Sequence, residues 1–232
     1  MTGSLRFRRE RKMSAYWKKN LIPLAIEAVF IVSCFMVPAE YFIYTNFLFY
    51  SALLLYFAVR KEFSLKAWID SLKGGKAFWR PAGITVFFFL AAFAATTVLE
   101  SLFPQLDTGM IGLRRDNWFT LAIFAVSTIL LPPVVEELFY RKSLILTENG
   151  GGGGNACGNQ KIMIVTVVLS MFLYAVEHSL TPWGILLTML WALPLSVSYI
   201  KTKNVFIPMT AHFIVNLIGN GADVVFTIIR ML

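Results

Sequence analysis

Long apolar runs separated by short polar joints dominate the chain. Seven of them stand out: Leu21–Val37, Tyr41–Val59, Ile84–Leu99, Phe119–Leu146, Ile162–Glu177, Trp183–Ile200 and Val205–Leu232. Each comes near the ~20 residues a helix needs to cross about 30 Å of hydrocarbon. None shows the alternation of a barrel strand, and a bilayer leaves the helix as the other spanning element. The pattern therefore predicts an all-α polytopic membrane bundle of seven transmembrane helices. The last run carries Gly219-Asn220-Gly221. It is expected to form one kinked span with a helical extension, an eighth short crossing being the alternative.

Composition points the same way. Of 232 residues, 57% are apolar and 15% charged, and the mean hydropathy is +0.67. A soluble domain is usually ~45–50% apolar and about 25% charged. Soluble globular and disordered classes are excluded. The net charge of +8 gathers at Arg6, Arg8, Arg9, Arg11 and Lys12, at Lys18 and Lys19, and between Arg60 and Arg80. These segments flank apolar runs, so the charge is read as topogenic, and no nucleic acid is expected as a partner.

The N-terminal arm, the Arg60–Arg80 loop, the Arg141–Lys161 region and the Lys201/Lys203 turn all fall on one side in a seven-span topology. That side is assigned to the cytoplasm, together with the N-terminus. Residues 1–20 form a basic cytoplasmic arm, with Met13 as an alternative start, and residues 21–232 form a single transmembrane domain. Cys34 lies in an apolar run and Cys157 near Gly150–Gly154, so no disulfide framework is expected. The glycine run reads as a flexible loop and lacks the spacing of a phosphate cradle.

Ionisable side chains inside membrane helices are costly and mark function by default. Three segments carry them: Glu136-Glu137-Leu138-Phe139-Tyr140-Arg141 after Pro132-Pro133, Tyr174-Ala175-Val176-Glu177-His178, and His212-Phe213-Ile214-Val215-Asn216. Both histidines of the chain are among them. At helical spacing Glu137 and Arg141 share a face and can pair, as do His212 and Asn216, while Glu136 lies about 100° around the helix. The two prolines are expected to break or start a helix and so place Glu136 near its N-terminus. At about 1.5 Å per residue, Glu136, His212 and His178 lie ~16, ~12 and ~25 Å from the cytoplasmic boundary. Tilt can narrow that mismatch. A carboxylate and an imidazole around one water form a general-base pair, and an imidazole with a carboxamide can bind an oxyanion. Ser143 and Ser170 offer no convincing nucleophile. The inventory suits hydrolysis of an amide bond within the membrane.

Glu136-Glu137-x-x-x-Arg141, Tyr174-x-x-x-His178 and His212-x-x-x-Asn216, in that order on separate apolar segments, resemble the three motifs of the CAAX protease and bacteriocin-processing (CPBP, or Abi) family. These are the type II CAAX prenyl proteases and their relatives, intramembrane glutamic endopeptidases. The likeness covers about 119–219. It implies that Glu136 activates water with help from His178, that His212 and Asn216 bind the oxyanion, and that Glu137 and Arg141 support the site. It further implies a membrane-associated protein or peptide substrate, no cofactor, and a bacterial inner (cell) membrane location. Prenylated peptides, bacteriocin leaders and C-terminal sorting signals all fit that chemistry. Tyr174 stands where the family has Phe, Lys142 where many relatives have Gly, and Glu177 where a small or apolar residue is commoner.

Each residue also has a plainer role: a helix-seam ion pair for Glu137–Arg141, an interfacial position for His178, interhelical bonding for Asn216. Glu27 and Asp223, also in apolar runs, are read as structural or cavity-facing. A zinc hydrolase using Glu136, His178 and His212 as metal ligands is the mechanistic alternative, although no His-Glu-x-x-His helix is present. A proton-coupled transporter and a non-enzymatic immunity protein are the non-protease readings, and the intact motif set and lack of internal repeats weigh against both.

Overall fold

A computed structural model describes residues 2–147, 155–156 and 159–232 of the chain. The side chains of Arg6, Arg8, Arg9, Arg11 and Lys12, the Gly150–Gly154 run and Cys157 lie outside the described residues.

The architecture is all-helical, as the pattern predicts. Helices α1 (Thr2–Met36), α2 (Phe42–Val59), α3 (Leu65–Leu72) and α4 (Lys76–Leu102) make up the N-terminal half. Helices α5 (Trp118–Leu144), α6 (Gln160–Val176), α7 (Pro182–Thr202) and α8 (Phe206–Met231) follow. All seven apolar runs are helices. Six are long and apolar enough to span a membrane, and α6, at 17 residues, is the short one. The only sheet among the described residues is a parallel two-residue ladder, Leu146–Thr147 with Asn155–Ala156. Large apolar side chains such as Val29, Phe87, Val165 and Phe226 point outward, as a lipid-facing surface requires.

One expectation changes. The short helix α3 lies inside the loop read only as a basic joint. Ser64 caps it by accepting the Ala67 N–H at 3.2 Å, and the Trp68 indole donates to Thr210 Oγ1 at 2.8 Å. The last run is a single helix, α8, in keeping with the one-span reading and not with an eighth crossing.

The largest correction concerns Pro132-Pro133. They neither break nor start a helix, so Glu136 is not near a helix N-terminus: α5 runs on from Trp118 to Leu144. A π turn over Val126–Leu130 absorbs the prolines, with the Leu131 N–H reaching back five residues to the Val126 carbonyl. Proline has no N–H, so the carbonyls of Ser127 and Thr128 lose their donors. In a membrane interior these must be satisfied by other groups. Asn46 of α2 donates to the Ser127 carbonyl at 3.4 Å, and Asn216 and Asn220 of α8 donate to the Thr128 carbonyl at 2.8 and 3.1 Å. The bonds that repair the proline site thus pin α2 and α8 to α5.

The remaining helices close around that core: α7 packs on α4 and α6, α4 on α8, and α1 on α2. The Leu102–Asn117 connection is stitched to the α6–α7 turn. Ile111 N–H donates to the His178 carbonyl at 3.0 Å, Leu180 N–H to the Gly109 carbonyl at 3.0 Å, and Thr181 Oγ1 to the Asp107 carbonyl at 2.7 Å. Gly109 has φ of +56°, and a Cβ there would meet Thr181. That stitching holds the backbone of His178.

Since Asn216 and Asn220 share one acceptor, each substitution to Leu alone is expected to be mild. The double substitution strands the Thr128 carbonyl and costs ~1–3 kcal/mol beyond the sum of the singles. A double-mutant cycle of denaturation in detergent micelles measures this; additive losses would contradict the shared-acceptor geometry.

Candidate active site

The three motifs converge on one cavity of about 370 Å³, whose wall includes Glu136, Tyr174, His178, His212 and Asn216. Glu136, Glu137 and Arg141 all come from the stretch of α5 that ends in a second π turn, Glu137–Leu144. The wider turn lets the two adjacent glutamates serve neighbouring partners and not opposite faces.

Glu137 and Arg141 are both fully buried. Arg141 Nη1 lies 3.3 Å from Glu137 Oε1, close enough for ion pairing although off the hydrogen-bond direction. The guanidinium donates through Nη2 to the Ala192 carbonyl at 3.4 Å and sits 4.8 Å over the Tyr174 ring. The same Glu137 oxygen lies 3.0 Å from His212 Nδ1. A carboxylate can only accept, so His212 carries its proton on Nδ1 and turns Nε2 toward Glu136 Oε2, 3.9 Å away.

Glu136 is 1% exposed, yet its two oxygens differ. Oε1 accepts the Tyr50 hydroxyl at 2.6 Å, while Oε2 makes no hydrogen bond among the described residues. His178 follows the end of α6. Its Nδ1 lies 2.8 Å from the Tyr174 carbonyl, which can only accept, so this nitrogen is the protonated one and Nε2 keeps its lone pair. The ring stacks on Tyr174 with centroids 4.5 Å apart and meets Trp191 edge-on at 6.5 Å. Tyr174 thus stacks on one histidine, carries the arginine and meets the ring of His212 at 6.3 Å.

Asn216 also reaches the cavity wall, with one of its two N–H groups held by the Thr128 carbonyl. Ser170 is no nucleophile here; its hydroxyl donates to the Tyr140 carbonyl at 2.6 Å. Asp223 pairs with Arg115 at 3.1 Å, and both line the cavity. Among the described residues no group of three His, Cys, Asp or Glu is spaced to hold a metal ion.

Sequence reasoning did not find Tyr50. It sits in an aromatic-rich run of α2, where nothing local separates a hydroxyl aimed at Glu136 from ordinary core aromatics. The N-terminal helices, which carry no motif, therefore complete the site. Glu27 and Glu177 were visible as charges in apolar runs but without a role; both contact Tyr140.

Residues 117–218 match a family model described as type II CAAX prenyl endopeptidase Rce1-like. The segment that carries all three motifs thus resembles a family of membrane proteases, and the match supports peptidase activity. No curated protein and no solved structure matches the chain.

Arg141→Leu leaves Glu137 buried without its cation and is expected to cost ~3–5 kcal/mol of stability, part of it regained by adding Glu137→Gln. Denaturation in detergent micelles reads both. An Arg141→Leu protein as stable as wild type would show that the pair does not hold the fold.

Proposed function

We propose that the protein is an intramembrane endopeptidase that hydrolyses a peptide bond of a membrane-associated protein or peptide with water activated by Glu136. The observation that carries this reading is the asymmetry of the Glu136 carboxylate. One oxygen is anchored by Tyr50, and the other makes no hydrogen bond among the described residues, in a glutamate at the wall of a cavity that His178 and His212 also line.

Water between Glu136 Oε2 and the free Nε2 of His178 gives up a proton to Glu136 as its oxygen bonds to the scissile carbonyl carbon. The charge that develops on the carbonyl oxygen is met by His212 and by the second N–H of Asn216. With Nδ1–H committed to Glu137, His212 can donate from Nε2 only as imidazolium. Glu137 and Arg141 act through His212 and Tyr174 and are positioning residues. The excess of Lys and Arg in the loops of one side supports a cytoplasmic N-terminus, and a bacterial inner membrane suits the reading.

Glu136→Gln keeps the shape of the side chain and removes the base. Comparing membrane and secreted peptide termini from cells expressing wild type or Glu136→Gln at equal levels tests the proposal. Termini that vanish in the variant are expected; identical termini in both would overturn it. With a substrate in hand, His212→Ala and Asn216→Ala are each expected to raise the barrier by ~2.7–4 kcal/mol. Asn220 still holds the Thr128 carbonyl in the second variant, so the helix contact survives.

A further inference from the structure

Behind Glu136 lies a buried trio that the hydrolytic scheme leaves unused. Glu27 of α1, Tyr140 of α5 and Glu177 at the end of α6 are 1%, 0% and 4% exposed. The Tyr140 oxygen is 2.7 Å from Glu27 Oε2 and 2.5 Å from Glu177 Oε2. A phenol has one proton to donate, and an ionised carboxylate has none. Two ionised carboxylates could not both bond that oxygen, because one contact would bring two bare lone pairs together. One of the two carboxyl groups must therefore supply a proton of its own.

Surroundings reinforce the count. The buried guanidinium of Arg141 is taken by Glu137, and the second oxygens of Glu27 and Glu177 make no hydrogen bond among the described residues. An unpaired carboxylate in such a place is expensive, whereas a neutral carboxylic acid is not. Glu177 lines the cavity, which Glu27 and Tyr140 do not. The Tyr50 hydroxyl, which donates to Glu136, also faces the Glu177 carboxyl.

We propose that the Glu27–Tyr140–Glu177 trio stores one proton beyond the phenol's own and that Glu177 delivers it to the leaving amine. The delivery rests on the hydrolytic reading above; the stored proton does not. When the tetrahedral intermediate collapses, the C–N bond breaks with its electron pair on nitrogen, and nitrogen takes the proton of Glu177. Glu136 then holds the proton it took from water. Glu136 passes that proton to the Tyr50 oxygen as the Tyr50 hydroxyl proton moves to Glu177. Both glutamates return to their starting states, and the released acid and amine exchange their last proton in water. The scheme gives the N-terminal helices a chemical part through Glu27 and Tyr50.

Infrared spectra of the full chain in lipid, compared between water and deuterium oxide, test the store directly. Wild type is expected to show the carbonyl stretch of a protonated carboxyl group, and Glu27→Gln/Glu177→Gln is expected to lose it. Glutamine can donate to or accept from Tyr140, so the double variant keeps the hydrogen bonds while losing the mobile proton. No such band in wild type, or the same band in the double variant, would overturn the store. For delivery, Glu177→Gln is expected to lower kcat roughly 10²–10⁴-fold at unchanged KM, with partial recovery in Glu177→Asp. Wild-type kcat in Glu177→Gln would overturn it. Cleavage that survives Glu136→Gln, with the band present, would defeat the hydrolytic reading and the delivery while leaving the stored proton standing.

Discussion

Glu137 Oε1 holds two helices and two functions in place at once. Arg141, one turn along α5, lies 3.3 Å from it and His212, on α8, lies 3.0 Å from it. Both partners are buried, so no water competes for the carboxylate. The arginine supplies the counter-charge that makes a buried carboxylate tolerable, and the carboxylate in turn decides which nitrogen of His212 bears the proton. From that choice follow the aim of His212 Nε2 at Glu136 and the seat of Arg141 over Tyr174. Tyr174 then carries His178 on its ring. The site is a chain of dependences that starts at one oxygen atom.

The backbone contributes a second constraint. A membrane helix cannot leave carbonyls bare, and two consecutive prolines leave two of them without donors. The π turn and the asparagines of α2 and α8 answer that deficit about two turns before Glu136. The prolines therefore act as a docking device: the defect they create can be repaired only by neighbours at one depth. Those neighbours bring Tyr50 and His212 to the same glutamate.

Much of this was legible in the amino-acid pattern. Seven apolar runs appear as seven helices, and Glu136, His178, His212 and Asn216 line one cavity despite the unequal depths counted along each segment. Local periodicity sufficed for the Glu137–Arg141 pair, because i,i+4 neighbours need no tertiary knowledge. What was hidden is long-range or short. Tyr50 meets Glu136 across 86 residues and Asn216 meets Thr128 across 88, and no spacing rule reaches so far. Helix α3 is eight residues of amphipathic sequence inside a charged loop, too brief for a hydropathy window. The continuity of α5 through Pro132-Pro133 was hidden because the repairing donors belong to other helices.

Histidine tautomers test the organising role of Glu137 most directly, and with only two histidines the chain suits nitrogen NMR after histidine-selective ¹⁵N labelling. The account predicts a proton on Nδ1 of both rings, and that Glu137→Gln perturbs the His212 resonances while His178, anchored to the Tyr174 carbonyl, keeps its own. A wild-type His212 protonated on Nε2 alone, or a His212 spectrum indifferent to Glu137→Gln, would contradict it.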